Sequence, residues 1–305
     1  MRAVRTLGIL LAGGGSFAAW LSLAGGVVPL LDPLASFLPL FGSIILFGLL
    51  LARRRLISTI IAALLGLAPV MIGLWPELTR TIPVAPQEAP KIRLLTHNVW
   101  RKNPNPADTA QAIIDARPDV LMLQEAGGSF RPLLAALGEH LPYATKCPAV
   151  CDLAIFSRWP IVDSGYFFRD SKGRKFGPPV LWARIAGPDG RAFTAATLHY
   201  THPTSRAQAV QRRDVARALA RIDRDALIVA GDMNLTPWAA AMREQDRALA
   251  PLVRMTRALP SWPRALPVLP IDHLYAGPRW GLVSARRLPA TGSDHRPILV
   301  TVARR

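Results

Sequence analysis

The sequence predicts an α/β domain preceded by three membrane-spanning helices. Three long stretches without charged side chains occupy the first 75 residues, and beyond residue 90 short apolar runs of strand length alternate with helical segments. The 305 residues carry a net charge of +17 together with a mean hydropathy of +0.23, which indicates that apolar and basic parts are kept separate. This composition excludes a disordered protein, a disulfide scaffold and a collagen-like fibre.

Each of the three apolar stretches is long enough to cross a bilayer. They cover residues 6–28, 34–52 and 56–75, and only Arg53, Arg54 and Arg55 separate the second from the third. A helix rises about 1.5 Å per residue against a hydrocarbon thickness of about 30 Å. The alternative for the first stretch is a cleaved signal peptide, but its apolar run exceeds the usual signal core of about 7–15 residues. Three transmembrane helices are therefore the prediction.

The positions of arginine predict the orientation of these helices. Arg2 and Arg5 precede the first span and residues 53–55 join the second to the third, whereas the loop between the first two spans offers only Asp32. Because basic flanks stay in the cytoplasm, we expect a multi-pass protein of the cell membrane. Everything after Trp75 is then extracytoplasmic.

The chain divides into a membrane anchor at residues 1–80, a proline-rich linker at 81–90 and a soluble domain at 91–305. The soluble domain holds 31 of the 37 Lys+Arg and 17 of the 20 Asp+Glu, a net charge of +14. Such a charge attracts polyanions or an anionic membrane surface, and it does not distinguish between them.

Cys147 and Cys151 are too few for a four-ligand zinc site, and a local disulfide and two unpaired thiols both remain open.

The soluble domain reads as buried strands alternating with helices. Asn105 as N-cap and Pro106 at the first helical position predict a helix through Ala116. A second helix is predicted within residues 205–222, where Val215, Ala218, Leu219 and Ile222 form an apolar stripe. Two loops stand out, a basic one at 169–179 and one at 254–270 that contains Trp262. The predicted strands are residues 92–96, 119–124, 153–156, 181–185, 193–198, 227–230, 271–275 and 298–302.

Polar residues stand where these strands end. Glu125 and Asp294, with Asn98 as a neutral oxygen donor, are hard ligands of the kind that Mg²⁺ takes, and Mn²⁺ is a possible substitute. No cysteine belongs to the set, which argues against structural zinc and a thiol nucleophile, and no GxSxG motif supports a serine hydrolase. Glycines 13–15 lie in a predicted span and form no phosphate loop. Metal-assisted hydrolysis is the chemistry that fits.

Seven ordered motifs carry a family resemblance. They are THNVW (96–100), PDVLMLQE (118–125), LAIFSRWPI (153–161), TLHYTHP (197–203), AGDMNLTP (230–237), IDHLY (271–275) and SDHRP (293–297). In this order they resemble the endonuclease/exonuclease/phosphatase superfamily, which contains pancreatic-type deoxyribonuclease, apurinic-site endonucleases, inositol-polyphosphate phosphatases and neutral sphingomyelinases. The resemblance covers nearly all of residues 91–302.

The resemblance implies a four-layered α/β sandwich with two central mixed sheets, and it implies a role for each matched residue. Asn98, Glu125 and Asp294 are expected to hold the metal. His295, paired with Asp272, is expected to contact the scissile phosphate. Asp232 is expected to orient or deprotonate the attacking water, and Asn234 to hold that water or stabilise the transition state. His199 matches the histidine of the deoxyribonuclease and sphingomyelinase branches.

Each of these residues also has a structural interpretation. Asn98 alone is typical of a turn, Asp232 and Asn234 fit an Asx-turn, and Asp294 and His295 fit a loop hydrogen-bonded to backbone. His97, His202 and His273 are expected to be structural or to support the site from behind. The conjunction of all the motifs favours the catalytic interpretation.

The sequence therefore predicts a membrane-anchored, magnesium-dependent phosphodiesterase in which an activated water attacks in line. The basic domain favours a nuclease-like enzyme, and the alternatives are a phospholipid or sphingolipid headgroup phosphodiesterase and a non-catalytic binding module on the same scaffold. The expected partners are a phosphodiester substrate, nucleic acid or phospholipid, and the bilayer; no protein partner can be inferred.

Overall fold

The computed structural model describes residues 2–52, 56–146, 152–169 and 175–305. Cys147 and Cys151, for which a disulfide and two unpaired thiols both remain open, lie outside the described residues, as do residues 170–174 of the basic loop. The chain forms two compact units. One comprises Met1–Arg80 with Leu235–Glu244, and the other comprises Thr81–Asn234 with Gln245–Arg305.

The first unit contains the three predicted apolar helices. They are α1 (Arg2–Leu23), α2 (Leu38–Ala52) and α3 (Leu56–Thr79), with a 3₁₀ helix over Pro29–Phe37 before α2. The segments long and apolar enough to cross a membrane are Arg2–Gly26, Pro29–Ala52 and Ile57–Thr79. Gly8 and Gly48 let α1 and α2 approach closely, because a Cβ on either would lie within 2.7 Å of the other's backbone oxygen.

The second unit contains two mixed sheets of six strands each. The first sheet has the order β11-β12-β1-β2-β4-β3 and the second β5-β6-β7-β8-β10-β9. The strands are β1 Lys91–Asn98, β2 Val120–Gln124, β3 Tyr143–Lys146, β4 Ala154–Ser157, β5 Ile161–Arg169, β6 Lys175–Ala186, β7 Ala192–His199, β8 Leu227–Asp232, β9 Val253–Arg254, β10 Asp272–Ala276, β11 Trp280–Arg287 and β12 Ile298–Arg304. The helices are α4 Pro106–Ala116, α5 Leu134–His140, α6 Arg206–Leu219 and α7 Ala240–Ala248, which runs from the first unit into the second.

The main core lies between the two sheets. Leu94, Met122 and Val300 of the first sheet and Ile228 and Leu274 of the second belong to one buried apolar cluster. A second cluster joins the opposite face of the first sheet to α4 and α5. Helix α6 packs against β6 of the second sheet, so the order of layers is helix, sheet, sheet, helix. The predicted four-layered sandwich is confirmed.

The apolar stripe that predicts helix α6 is the buried face of that helix. Val215, Ala218 and Leu219 are buried, whereas Arg213 and Arg217 are exposed. The helix ends at Leu219, so the predicted stripe extends three residues beyond it to Ile222. Ser205 caps the helix by accepting the N–H of Ala207.

The predicted strands are all present, and α4 has its predicted bounds. Asn105 occupies the N-cap position of α4, but its side chain makes no capping hydrogen bond. The sequence did not predict β3, β5, β9 or β11. Both β5 and β11 lie at sheet edges, where one side of the strand is solvated and no continuous apolar run develops. Within residues 81–90, Val84 forms a β-bridge with Leu282 of β11.

Candidate active site

The register of the first sheet brings two of the predicted residues together. Strands β1 and β2 are parallel, with Asn98 opposite Gln124, so Glu125 follows directly beside Asn98. Asn98 donates from Nδ2 to Oε1 of Glu125 at 3.0 Å. The carboxyl ends of neighbouring parallel strands meet at one edge of the sheet, which explains why residues 27 positions apart are in contact.

The register of the second sheet does the same for three more residues. His199 at the end of β7 lies opposite Asp232 at the end of the parallel strand β8. Asp272 begins the antiparallel strand β10 and also lies opposite Asp232. Glycine is required at 231, since a Cβ there would overlap the carbonyl oxygen of Leu198 on β7. The close pairing of β7 and β8 therefore depends on the glycine that precedes Asp232.

The carboxylate of Asp232 connects the two sheets. Its Oδ2 lies 3.1 Å from Nδ2 of Asn98, 3.3 Å from Nε2 of His199 and 3.6 Å from Nε2 of His295. The side chain is 2% exposed. Burial raises the pKa of Asp232, and the neighbouring His295 and His199 oppose that rise. A buried carboxylate with a raised pKa is suited to accept a proton near neutral pH.

Glu125 is held in a fixed orientation by two donors. Its Oε2 accepts the backbone N–H of Arg101 at 3.0 Å, and Oε1 accepts from Asn98. Burial alone would raise the pKa of Glu125, but these hydrogen bonds and the nearby histidines lower it. The residue has a left-handed backbone with φ of 53°. Glu125 is therefore ionised at neutral pH.

His295 and Asp272 form a buried ion pair. Nδ1 of His295 lies 2.9 Å from Oδ2 of Asp272, and both side chains are nearly inaccessible to solvent. Burial lowers the pKa of His295, but Asp272 and Asp232 together outweigh it and raise the pKa to about 10. Burial would raise the pKa of Asp272, but the charge and hydrogen bond of His295, together with a hydrogen bond from Ser261, lower it. His295 is therefore a cation whose Nε2 faces Asp232.

Asn234 forms both the Asx-turn and a part of the site. Its backbone N–H donates to Oδ1 of Asp232 at 2.9 Å, which closes the turn. Its side-chain Nδ2 donates to the carbonyl of Tyr200 at 2.8 Å and lies 3.4 Å from Nε2 of His199. The turn has φ of 50° at Asn234, a left-handed conformation that asparagine tolerates. Asn234 therefore both closes the predicted turn and lies at the site.

Asp294 lies beside a residue that the sequence had offered only as a loop feature. Nε1 of Trp262 donates to Oδ2 of Asp294 at 3.3 Å. Oδ1 of Asp294 is buried and has no hydrogen-bond partner among the described residues. A tryptophan in a proline-rich segment is typical of a surface loop. The sequence therefore did not predict the contact of Trp262 with Asp294.

Residues behind the site fix the positions of the predicted ones. The hydroxyl of Ser293, for which the sequence predicted no role, donates to the carbonyl of Asn98 at 2.7 Å and accepts the N–H of His295 at 3.1 Å. His97 is buried against Thr291, at 3.2 Å, and desolvation lowers its pKa to about 3. His273 is buried beside Thr256. His97 and His273 are thus neighbours of the site, whereas His202 is exposed.

The donor set of this site fits a divalent cation. Among the described residues, the ion pairs of Glu125, Asp232 and Asp272 involve histidine and no lysine or arginine. The carboxylate oxygens of Asp232 and Asp272 lie within 4.8 Å of each other. Oδ1 of Asp294 adds a buried oxygen without a partner. Concentrated carboxylate oxygens without a compensating Lys or Arg are the environment that Mg²⁺ and Mn²⁺ favour.

The predicted site residues therefore converge at one edge of the two sheets. Hydrogen bonds or ion pairs of 3.9 Å or less connect Asn98, Glu125, His199, Asp232, Asn234, Asp272 and His295. Asp294 adjoins His295 in the chain and contributes to its raised pKa. Which of these oxygens hold the metal and which groups move protons stay predictions.

Comparisons with known proteins match the part of the chain that contains the site. The family model described as the Endonuclease/Exonuclease/phosphatase family matches residues 95–295. No curated protein sequence matches the chain.

Solved structures show the same fold. The human nocturnin catalytic domain with bound sulfate superposes with a TM-score of 0.58 at 20% identity, over 75% of this chain and 99% of that one. An endonuclease/exonuclease/phosphatase from Beutenbergia cavernae has a TM-score of 0.58 at 18% identity, over 70% of this chain and 72% of that one. Sphingomyelinase C from Streptomyces griseocarneus has a TM-score of 0.51 at 16% identity, over 70% and 99%.

The ion pair of His295 and Asp272 gives a direct prediction. Replacing the carboxylate, as in Asp272→Asn, should lower the pKa of His295 from about 10, because the opposing charge in contact with Nδ1 is lost. The imidazole of the variant then loses its proton at a lower pH than that of the wild type. The measurement is an NMR titration of the His295 ring in the metal-free full chain.

The matched control is Asp163→Asn, which removes an exposed carboxylate on β5 and should leave the titration of His295 unchanged. An unaltered pKa of His295 in Asp272→Asn would show that the ion pair is not what keeps this residue protonated.

Proposed function

This chain belongs to the endonuclease/exonuclease/phosphatase family, and from that premise we propose that it is a membrane-anchored, divalent-metal-dependent phosphodiesterase. Members of this family are hydrolases that act on phosphoester bonds. The observation that carries the proposal is the buried Asp232 carboxylate, which lies within 3.6 Å of Asn98, His199 and His295. Acid, amide and imidazole groups from both sheets therefore surround one small volume.

The proposed reaction is hydrolysis by in-line attack of water on phosphorus. Asp232 accepts a proton from the water as the new phosphorus–oxygen bond forms. The bond to the opposite ester oxygen breaks, and that oxygen takes a proton and leaves as an alcohol. The other product is a phosphomonoester. Asn234 is held next to Asp232 and His199, where its amide orients the attacking water or stabilises the transition state.

His295 supplies positive charge for the transition state. Negative charge grows on the nonbridging oxygens as water attacks, and a protonated imidazole stabilises that charge more strongly than it stabilises the ground state. Asp272 holds the ring of His295 by its Nδ1, so Nε2 is directed towards Asp232 and the site. When bound, Mg²⁺ held by Asn98, Glu125 and Asp294 would add charge stabilisation at the phosphate oxygens.

A nucleic acid is the substrate that the charge of the domain favours. Residues 91–305 carry a net charge of +14, and Arg206, Arg213 and Arg221 are exposed on or just after α6. Exposed guanidinium groups bind backbone phosphates without regard to sequence. We therefore place a nuclease-like phosphodiesterase first.

A lipid headgroup phosphodiester is the second candidate, and a specific loop favours it. The backbones of Trp262 and Leu269 pair with each other, and the residues between them include Leu266 and Val268, which are 72% and 54% exposed. Trp262 also contacts Asp294 of the site. An exposed apolar loop that begins at an active-site contact suits an enzyme that draws its substrate from a bilayer. The structural likeness to a sphingomyelinase C agrees with this candidate.

The three apolar helices support the membrane anchor of the proposal. Each of the segments Arg2–Gly26, Pro29–Ala52 and Ile57–Thr79 is long enough to span a bilayer. With Arg2, Arg5 and residues 53–55 in the cytoplasm, the catalytic domain lies on the outer side.

The proton acceptor is tested by Asp232→Asn. Loss of the carboxylate should lower the rate about 10²–10⁴-fold, because a positioned general base contributes an effect of that order. The measurement is magnesium-dependent hydrolysis of bis(4-nitrophenyl) phosphate by the full chain in detergent. The control Asp223→Asn changes an exposed carboxylate and should keep the wild-type rate. Activity that survives Asp232→Asn, or that is unaffected by a chelator, would overturn the proposed function.

The substrate class is tested by paired variants. Arg206→Gln with Arg213→Gln should weaken cleavage of single-stranded DNA and flatten its salt dependence, since each lost phosphate contact reduces the slope by about one. Leu266→Ser with Val268→Ser should leave DNA cleavage unchanged. The opposite result is that the chain hydrolyses phosphatidylcholine or sphingomyelin in vesicles and does not cleave DNA. If the Leu266 and Val268 changes also lower that lipid hydrolysis, the lipid candidate replaces the nuclease.

The orientation is tested by reporter fusions to the full chain. A reporter that is active only outside the cytoplasm should work when it is fused after Arg305 and fail when it is inserted at Arg55, because basic loops stay inside. Removal of charge at residues 53–55, with glutamine in place of arginine, should weaken this difference. The opposite pattern of reporter activity would place the catalytic domain in the cytoplasm.

A further inference from the structure

Asp32, near the N-terminal end of the apolar segment Pro29–Ala52, accepts two hydrogen bonds from residues more than 200 positions further along the chain. Its Oδ1 accepts the backbone N–H of Ala240 at 2.7 Å, and its Oδ2 accepts that of Ala241 at 2.9 Å. The three residues belong to the same compact unit although 208 positions separate Asp32 from Ala240. Asp32 is only 7% exposed, so these bonds are shielded from water.

These bonds cap the helix α7. The first N–H groups of a helix have no partner within it, and a side-chain oxygen just before the helix normally accepts one of them. Residue 239, directly before α7, is an alanine, which has no oxygen to offer. The two oxygens of the Asp32 carboxylate accept the first N–H groups of α7 instead. The negative charge of Asp32 also complements the positive end of the helix dipole.

Local packing fixes Asp32 where it can do this. The chain turns at Ala24–Gly26 and continues into the 3₁₀ helix Pro29–Phe37. Gly25 lies against the backbone of Asp32, and a Cβ at Gly25 would overlap it. The turn therefore brings Asp32 to a defined position and not to a mobile loop.

The capped helix is connected by a short, packed segment to the active site. Leu235 follows Asn234 directly, and the residues up to Ala239 are all buried. Within this segment Ala239 donates its N–H to the carbonyl of Thr236 at 3.0 Å, and Arg243 of α7 donates to the carbonyl of Trp238 at 2.7 Å. A cap on α7 therefore restrains the chain at the position where it leaves Asn234.

The backbone conformation of Asn234 positions two groups of the site. Its φ of 50° is left-handed, a conformation that asparagine adopts more readily than most residues. Its N–H bond to Asp232 and its amide contact with His199 depend on that conformation. A shift of the following segment would displace both groups.

We propose that Asp32 is a positioning residue for the phosphodiester reaction: by capping α7 it fixes the segment 235–239 and, through it, Asn234 beside Asp232. This inference rests on the proposed function. It assigns to the segment between α1 and α2 a part in catalysis in addition to any part in membrane attachment. It also requires residues 29–37 and α7 to lie on the same side of a membrane, as the predicted three-span topology has them.

The test is a double-mutant cycle in the full chain between Asp32→Ala and Asn234→Ala. Loss of the cap should lower kcat for bis(4-nitrophenyl) phosphate about fivefold with KM unchanged, since a side-chain cap favours the ordered geometry by about that factor. In the Asn234→Ala background the same Asp32→Ala change should have almost no further effect, because residues that act through one another are not additive.

Two further variants separate positioning from folding. Asp32→Asn and Asp32→Ser each keep a capping oxygen and should retain most of the wild-type kcat. Ser36→Ala, in the same 3₁₀ helix, should leave kcat unchanged. Hydrogen exchange of the full chain should show loss of protection at residues 235–241 in Asp32→Ala and its recovery in Asp32→Ser.

The outcomes distinguish this inference from the function on which it rests. A wild-type chain without hydrolytic activity overturns the proposed function. An active chain in which Asp32→Ala has normal kcat, or lowers kcat equally with and without Asn234→Ala, overturns only the positioning role. If Asp32→Ala does not fold, the cycle is measured with Asp32→Asn and Asp32→Ser. A kcat that these variants lower equally with and without Asn234→Ala overturns the positioning role.

Discussion

The burial of a carboxylate between two sheets is the constraint on which this site depends. Asp232 is almost inaccessible, and an isolated charge in such a place is costly unless hydrogen bonds and opposite charges surround it. Asn98, His199 and His295 supply those partners, one from the first sheet, one from the second and one from the loop before β12. These contacts offset the free-energy cost of burying the carboxylate. They also hold the amide and imidazole groups that the proposed reaction needs.

Strand register converts distant residues into neighbours. Parallel pairing aligns Asn98 with the end of β2 and His199 with Asp232, and antiparallel pairing places Asp272 opposite Asp232. These alignments place Asn98, His199, Asp232 and Asp272 at the ends of paired strands, which hold side chains more precisely than loops do. The Asx-turn at Asn234 shows how a common structural motif and a chemical role share the same residue.

The strands and the polar residues that follow them could be predicted from the sequence for a physical reason, whereas the four-layered arrangement was implied only by the family resemblance. Buried strands are continuous apolar runs, and the polar residue that ends each run stands out against it, as Glu125 does after residues 119–124. The edge strands β5 and β11 lack that contrast. The contacts of Trp262 with Asp294, of Ser293 with Asn98 and of Asp32 with α7 join segments that carry no local pattern linking them. Such contacts follow from tertiary packing alone.

We infer that the excess of carboxylate oxygens at the strand ends forms a site for one divalent cation. Isothermal titration of Mg²⁺ into the full chain in detergent tests it most directly. We expect one bound ion per chain, with binding lost in Glu125→Gln and retained in Glu139→Gln, which changes an exposed carboxylate on α5. Absence of binding to the wild type, or equal binding to both variants, would show that these carboxylates do not form a cation site.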